Sequence, residues 1–212
     1  AAKATPLTLP MNVQLITKQG EQGELPLSIP AERIGDQVTA AGIPFAIAKD
    51  GKNALRLAGQ TLTLKKDTRR LAWLLSADSN RILDFTVGGK TVPCSVLSRT
   101  RRFASWDLYD LHETAHIQEG QLGYVSTHSH NADGTDAIAK ELYFYILILN
   151  VQGGDTVVLP RDEETLVLAA TELNTVAVPC ATPLYDRVED RPFDYTMRLG
   201  DKLRYLRMKL PW

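Results

Sequence analysis

Residues 142–151 read LYFYILILNV, and this run restricts the possible folds more than any other stretch. It is about half the length of the roughly 20 apolar residues that a membrane-spanning helix needs. It is also rich in aromatic and β-branched side chains, which pack well on a pleated surface. The run therefore reads as a β-strand buried on both faces. Such a strand is expected to be a central one.

The rest of the sequence supplies candidates. NVQLITK (12–18), PFAIA (44–48) and NALRLA (53–58) alternate, or nearly alternate, apolar and polar residues. QTLTLK (60–65), RLAWLLSA (70–77) and RILDFTV (81–87) follow, and Gly88-Gly89 then separates RILDFTV from KTVPCSV. Two β-rich runs joined by Gly-Gly predict a hairpin. QLGYVSTH (121–128), DTVVLP (155–160) and TLVLAATEL (165–173) complete the series, with turn signals such as KDGKN, ADSN, NADGTD and QGGD between runs. Many short strands at regular spacing predict an all-β chain, an antiparallel β-sandwich or jelly roll, over residues 1–182. Residues 183–212 are denser in charge, and Leu199, Leu203 and Leu206 fall at helical spacing. That segment is expected to be a strap, a linker or a short helix.

Composition excludes several classes of partner. Lys plus Arg number 24 and Asp plus Glu 25, a formal net charge of −1. Such a balance gives no electrostatic basis for binding nucleic acid or an anionic membrane. Cys94 and Cys180 permit at most one disulfide and serve equally well as buried thiols. No Gly-rich phosphate loop, Gly-x-Ser-x-Gly elbow or cysteine pair with zinc spacing occurs.

Three motifs carry possible chemistry. The first is His112-Glu113-x-x-His116, the spacing at which two imidazoles on one helix face bind zinc beside a glutamate base. A catalytic zinc needs a third protein ligand. The positions where one extended form of the motif has Gly and His hold Glu119 and Leu122, and Glu141 runs directly into the buried strand. A solvated loop is the competing reading. The second motif is His128 and His130, two apart and so on one face if the segment is a strand, followed by Asp133 in a turn. These three suit a metal, a polar pocket or simply a turn. The third is Trp106-Asp107, an aromatic plate beside a carboxylate, which suits a sugar or, for Trp106, plain core packing.

An ordered series of segments adds a resemblance. LPMNVQLIT, NALRLAGQTLTL, RRLAWLLSA, FTVGGKTV, WD, STHSHNADG, LYFYILIL and TVVLP…LVLAATEL together resemble the C-terminal β-rich region of bacterial α-mannosidases of glycoside hydrolase family 38. The likeness runs from about Leu7 to about Asp186. The positions that match its motifs are Asn53, Gly59, Gln60, Thr61, Trp106, Asp107, His128, His130, Asp133 and Gly134. In that family the zinc ligands and the nucleophile lie in other domains, so the resemblance assigns no catalytic residue here. The His112–His116 stretch and the tail beyond Asp186 depart from the family pattern.

These readings give a set of expectations. The chain is expected to be a non-catalytic β-sandwich module of a glycan-degrading protein, structural or weakly carbohydrate-binding, with a periplasmic or extracellular location. Its expected partners are a mannose-containing glycan and a neighbouring catalytic domain or subunit, with neither nucleic acid nor membrane. Trp106, Asp107, His128, His130 and Asp133 are the expected sugar-binding residues, with no cofactor and no metal. The rivals are a zinc peptidase built on His112, Glu113 and His116, and an architectural domain that binds nothing.

Overall fold

A computed structural model of the chain describes residues 3–102, 104–105, 116–117 and 120–175, with 104–105 and 116–117 described by backbone alone. Among the described residues every regular element is a strand. The expected all-β class is therefore the observed one. The chain divides into Ala1–Ala181 and Thr182–Trp212. All described residues belong to the first unit, and the expected strap or helix at 183–212 lies outside them.

The largest sheet runs in the order Ala4–Leu7, Arg161–Leu173, Arg70–Ser76, Tyr143–Asn150, Gln121–Val125, and Leu55–Ala58 also pairs with Arg161–Leu173. All its pairings are antiparallel. A second antiparallel sheet runs Lys90–Val96, Arg81–Val87, Thr156–Val158, Thr61–Thr63. The Gly88-Gly89 hairpin forms as expected, with Val87 opposite Lys90. Its two glycines have φ of 53° and 80°, the left-handed values that a two-residue hairpin turn matched to strand twist requires.

The two sheets face each other across one apolar core. Leu71, Trp73 and Leu75 meet Leu62, Phe85, Val87, Val96 and Val157 there, and the rings of Trp73 and Phe85 lie 6.1 Å apart at 47°. The intervening residues Ala72 and Leu74 belong to a second core with Phe144, Leu166 and Leu168. That core is closed by Ile16, Ile29, Ile43 and Phe45, which come from a small sheet and the hairpin of Gln37–Ala40 with Ile43–Ala46. The largest sheet is thus covered on both faces, which explains why RLAWLLSA lacks polar alternation. Tyr143–Asn150 obeys the same rule, since Phe144 and Ile146 go to the second core and Leu147 and Leu149 to the first. It is paired on both sides, but the middle of the sheet is Arg70–Ser76. The expected antiparallel β-sandwich is thus observed, with a third layer over the other face of its largest sheet.

Part of that third layer replaces an expected strand. The segment 12–18 forms only the short strand Ile16–Thr17 and an isolated bridge from Val13 to Ala54. The reason is Asn53, which is fully buried. Its Oδ1 accepts from the amides of Leu15 and Ile16, at 2.8 and 2.9 Å, and its Nδ2 donates to the carbonyls of Ile16 and Lys49, at 2.8 and 3.1 Å. The side chain therefore takes the place of a neighbouring strand where the backbone turns from one layer to the next.

Cys94 is a buried free thiol, and burial first and the Asp84 carboxylate second push its pKa up to about 11. Cys180 lies outside the described residues. Burial also holds the Tyr145 phenol at about 12, with Tyr143 adding to the shift.

Replacing Asn53 with Ala leaves two buried amides and two carbonyls without their partner. We expect Asn53→Ala to lower unfolding free energy by on the order of 3 kcal/mol in urea denaturation. A loss below about 1 kcal/mol would show that the clamp is dispensable.

Candidate functional site

The small sheet that closes the second core carries the most unusual polar cluster among the described residues. Its strand order is Asp136–Ala137, Ser129–Asn131, Leu27–Pro30, Ile16–Thr17, with the last pair parallel. Register places His130 directly opposite Asp136 on one side and Ser28 on the other. Thr17 stands beside Pro30, two residues on from Ser28. Because side chains alternate along a strand, Thr17, Ser28, His130 and Asp136 share one face of the sheet.

The approach to this face is rigidly held. Ser126 donates its amide to the Leu142 carbonyl, and its Oγ accepts from the Leu142 amide at 2.9 Å. Ser129 Oγ donates to the Lys140 carbonyl at 2.9 Å. His128 sits between these two buried serines. On the far side of the strand, Asn131 and Thr135 close the turn through a 2.8 Å backbone bond. Gly134 there has φ of 82°, and a Cβ on it would come within 2.6 Å of the Gly20 carbonyl carbon. The glycine is required both by that backbone angle and by the neighbouring loop.

Both imidazoles are oriented by a threonine hydroxyl. His130 Nδ1 lies 2.9 Å from Thr17 Oγ1, which is itself 2.8 Å from Ser28 Oγ. His128 Nδ1 lies 3.1 Å from Thr127 Oγ1. Each ring thus uses Nδ1 locally and turns Nε2 toward Glu32. His130 Nε2 is 3.5 Å and His128 Nε2 3.9 Å from Glu32 Oε1. Asp136 Oδ1 lies 3.6 Å from His130 Nε2, and the two rings meet edge to face at 6.0 Å. His130 is fully buried, yet its Nε2 makes no hydrogen bond, since these charge contacts are too long for one. Tyr124 Oη is likewise buried without a partner, and burial, with the Glu32 charge second, pushes that phenol up to about 12.

The expected site residues divide into three groups. His128 and His130 are brought together. Asp133 is used by its own turn: its exposed carboxylate accepts from the Thr135 amide at 3.0 Å and from Thr135 Oγ1 at 2.6 Å. Those bonds, the hydroxyl first, hold its pKa below the usual carboxylate range. The carboxylate that faces the histidines is Glu32. Trp106 and Asp107 lie outside the described residues, as do His112 and Glu113. His116 begins a short strand, His116–Ile117, paired with Ala104–Ser105. A zinc-peptidase helix would need His116 on its face, so that rival loses its geometry. Sequence reasoning missed Glu32, Thr17, Ser28, Tyr124 and Asp136. Only Asp136 had a local signal, because pairing the arms of the NADGTD turn puts it across from His130.

The model of the AziU2-like β-sandwich domain family matches residues 3–176. The chain belongs to this family. No curated protein matches it. Among solved structures, the AziU2-like chain is similar to the catalytic unit of a thermostable GH87 α-1,3-glucanase from Streptomyces thermodiastaticus strain HF3-3, at 15% identity and a TM-score of 0.30. The match covers 87% of this chain and 26% of that one, so the AziU2-like chain spans about a quarter of the length of that structure. Family membership agrees with the β-sandwich expected from the sequence.

The raised phenols of this AziU2-like domain have a consequence at high pH. A folded pKa above the ordinary value of 10.0 means that the native state holds its protons more tightly than the unfolded chain. Stability is then complete below about pH 10 and falls as pH rises through about 12. Denaturation curves at successive alkaline pH values should show this decline, and Tyr124→Phe should make it shallower. Near neutral pH the same variant should change stability by less than about 1 kcal/mol, because the hydroxyl it removes has no partner.

Proposed function

We propose that this AziU2-like domain is a non-catalytic accessory module that stands beside a catalytic partner in glycan breakdown and binds a mannose-containing glycan weakly. The observation that carries the proposal is the surface-open group of Glu32 and His128, backed by Tyr124 Oη and His130 Nε2, which have no hydrogen-bond partners of their own. A hydroxyl-rich ligand offers donors and acceptors at the spacing such groups can use. Trp106 and Asp107 are assigned a supporting part, as a stacking plate and a further acceptor. The resemblance to the non-catalytic region of α-mannosidases is what selects a mannoside among hydroxyl-rich ligands, and it also favours a periplasmic or extracellular setting.

Affinity should be low. Each hydrogen bond to sugar replaces one to water and nets only about 0.5–1.5 kcal/mol. A few such bonds correspond to dissociation constants of roughly millimolar to high micromolar. In an NMR titration with mannose oligosaccharides, amides of residues 124–131 and those around Glu32 should shift together. Glu32→Ala and His128→Ala should weaken binding several-fold, Asp133→Ala should leave it unchanged, and no sugar should be hydrolysed. Saturating glycan that leaves these amides in place would leave the architectural reading, a domain that only buttresses its neighbour.

A further inference from the structure

We infer that Glu32, His128 and His130 form a site for one divalent transition-metal ion, zinc foremost. Their ligating atoms all lie within 4.8 Å of one another. In a tetrahedral zinc site with bonds of about 2.0–2.1 Å, neighbouring ligand atoms stand about 3.3–3.4 Å apart. The distances from Glu32 Oε1 to the two Nε2 atoms, 3.5 and 3.9 Å, are near that edge length, and the set as a whole, within 4.8 Å, draws in around the ion.

The second observation is the state of His130. Its ring is completely buried, and its Nε2 points at the carboxylate without a hydrogen bond. An imidazole held this way through Nδ1, with Nε2 free, is how metal-binding histidines are commonly prepared. A hydrogen bond at the far nitrogen fixes the tautomer and the ring orientation. Thr17, backed by Ser28, does this for His130, and Thr127 does it for His128. Two imidazole nitrogens and one carboxylate oxygen form a borderline donor set, suited to zinc rather than to calcium or magnesium, which prefer oxygen. Glu32 and His128 are partly exposed, so the ion can enter from solvent. A fourth position remains for water or for a ligand hydroxyl, and in that one respect the site would serve the glycan proposal. Binding of the ion itself does not depend on any sugar.

The alternative for the same atoms is an ion-free contact of His130 with Glu32 and Asp136, the two acidic groups facing it, at 3.5 and 3.6 Å. Metal titration separates the two. The full chain, stripped with a chelator, is titrated with zinc chloride by calorimetry, and retained metal is counted after dialysis. We expect one zinc per chain, and cobalt at the same site should give the visible absorption of a four-coordinate ion. Glu32→Gln and His128→Ala, at partly exposed positions that leave the fold intact, should weaken zinc binding at least tenfold. Thr17→Val should weaken it by about tenfold through the ring it orients, and Asp133→Asn should have no effect. No uptake of zinc by the wild-type chain would overturn the inference. So would uptake that survives Glu32→Gln and His128→Ala but is lost in a His112→Ala, His116→Ala double variant. Zinc binding without any glycan response leaves the metal site standing and removes the sugar reading; the reverse result removes the metal site alone.

Discussion

The rest of the structure depends on one sheet being buried on both faces. Along Arg70–Ser76, successive side chains enter different cores: Leu71, Trp73 and Leu75 one, Ala72 and Leu74 the other. A one-residue slip in pairing would exchange the two sets and drive Trp73 into the place of an alanine. Register is therefore fixed from both sides at once. Deleting a side chain of that size from such a core costs about 3–5 kcal/mol, so the layers on either face are not optional additions.

That constraint also explains where polar chemistry appears. Burial on both faces fills the middle of the molecule with apolar side chains, leaving the outer layers to carry polar groups. Arg81, at the start of a strand of the second sheet, meets Asp162 at 2.6 Å and also Glu164 of the largest sheet, and Arg99 pairs with Asp78. These groups satisfy one another. The small sheet does not do this. The histidines there are oriented by hydroxyls, the facing carboxylate is partly exposed, and His130 Nε2 and the neighbouring sheet's Tyr124 Oη have no partner. Buried polar groups are nearly always satisfied in native proteins, and two of the unsatisfied ones here, Tyr124 Oη and His130 Nε2, both interact with the Glu32 carboxylate.

The fold was largely legible in the sequence because its strongest signals are local. Gly88-Gly89 announced a hairpin, the run at 70–77 announced a strand, and the apolar run at 142–151 announced one with two covered faces. The candidate site was only half legible. His128 and His130 declare themselves by spacing, whereas Glu32 lies 96 and 98 positions upstream of them in the sequence, in a turn with no chemical signature. Asp133 looked like their natural carboxylate because it is three residues away. It is instead bound to Thr135, since a short acidic side chain in a turn meets its own backbone first.

What the sequence by itself determined is the class of the fold and the identity of its inner strands. Alternation, apolar runs and turn glycines are written in neighbouring residues, and the preferences they report act over a few positions. What only the tertiary structure decided is the third layer and the cluster it carries. Thr17, Ser28 with Glu32, and Tyr124 with His130 come from three distant stretches of chain, brought together because Asn53 redirects the backbone between layers and because pairing of Ser129–Asn131 with Leu27–Pro30 joins distant segments. Cross-strand neighbours of that kind are fixed by closing long loops and by packing against a shared core, and no local pattern of residues encodes them.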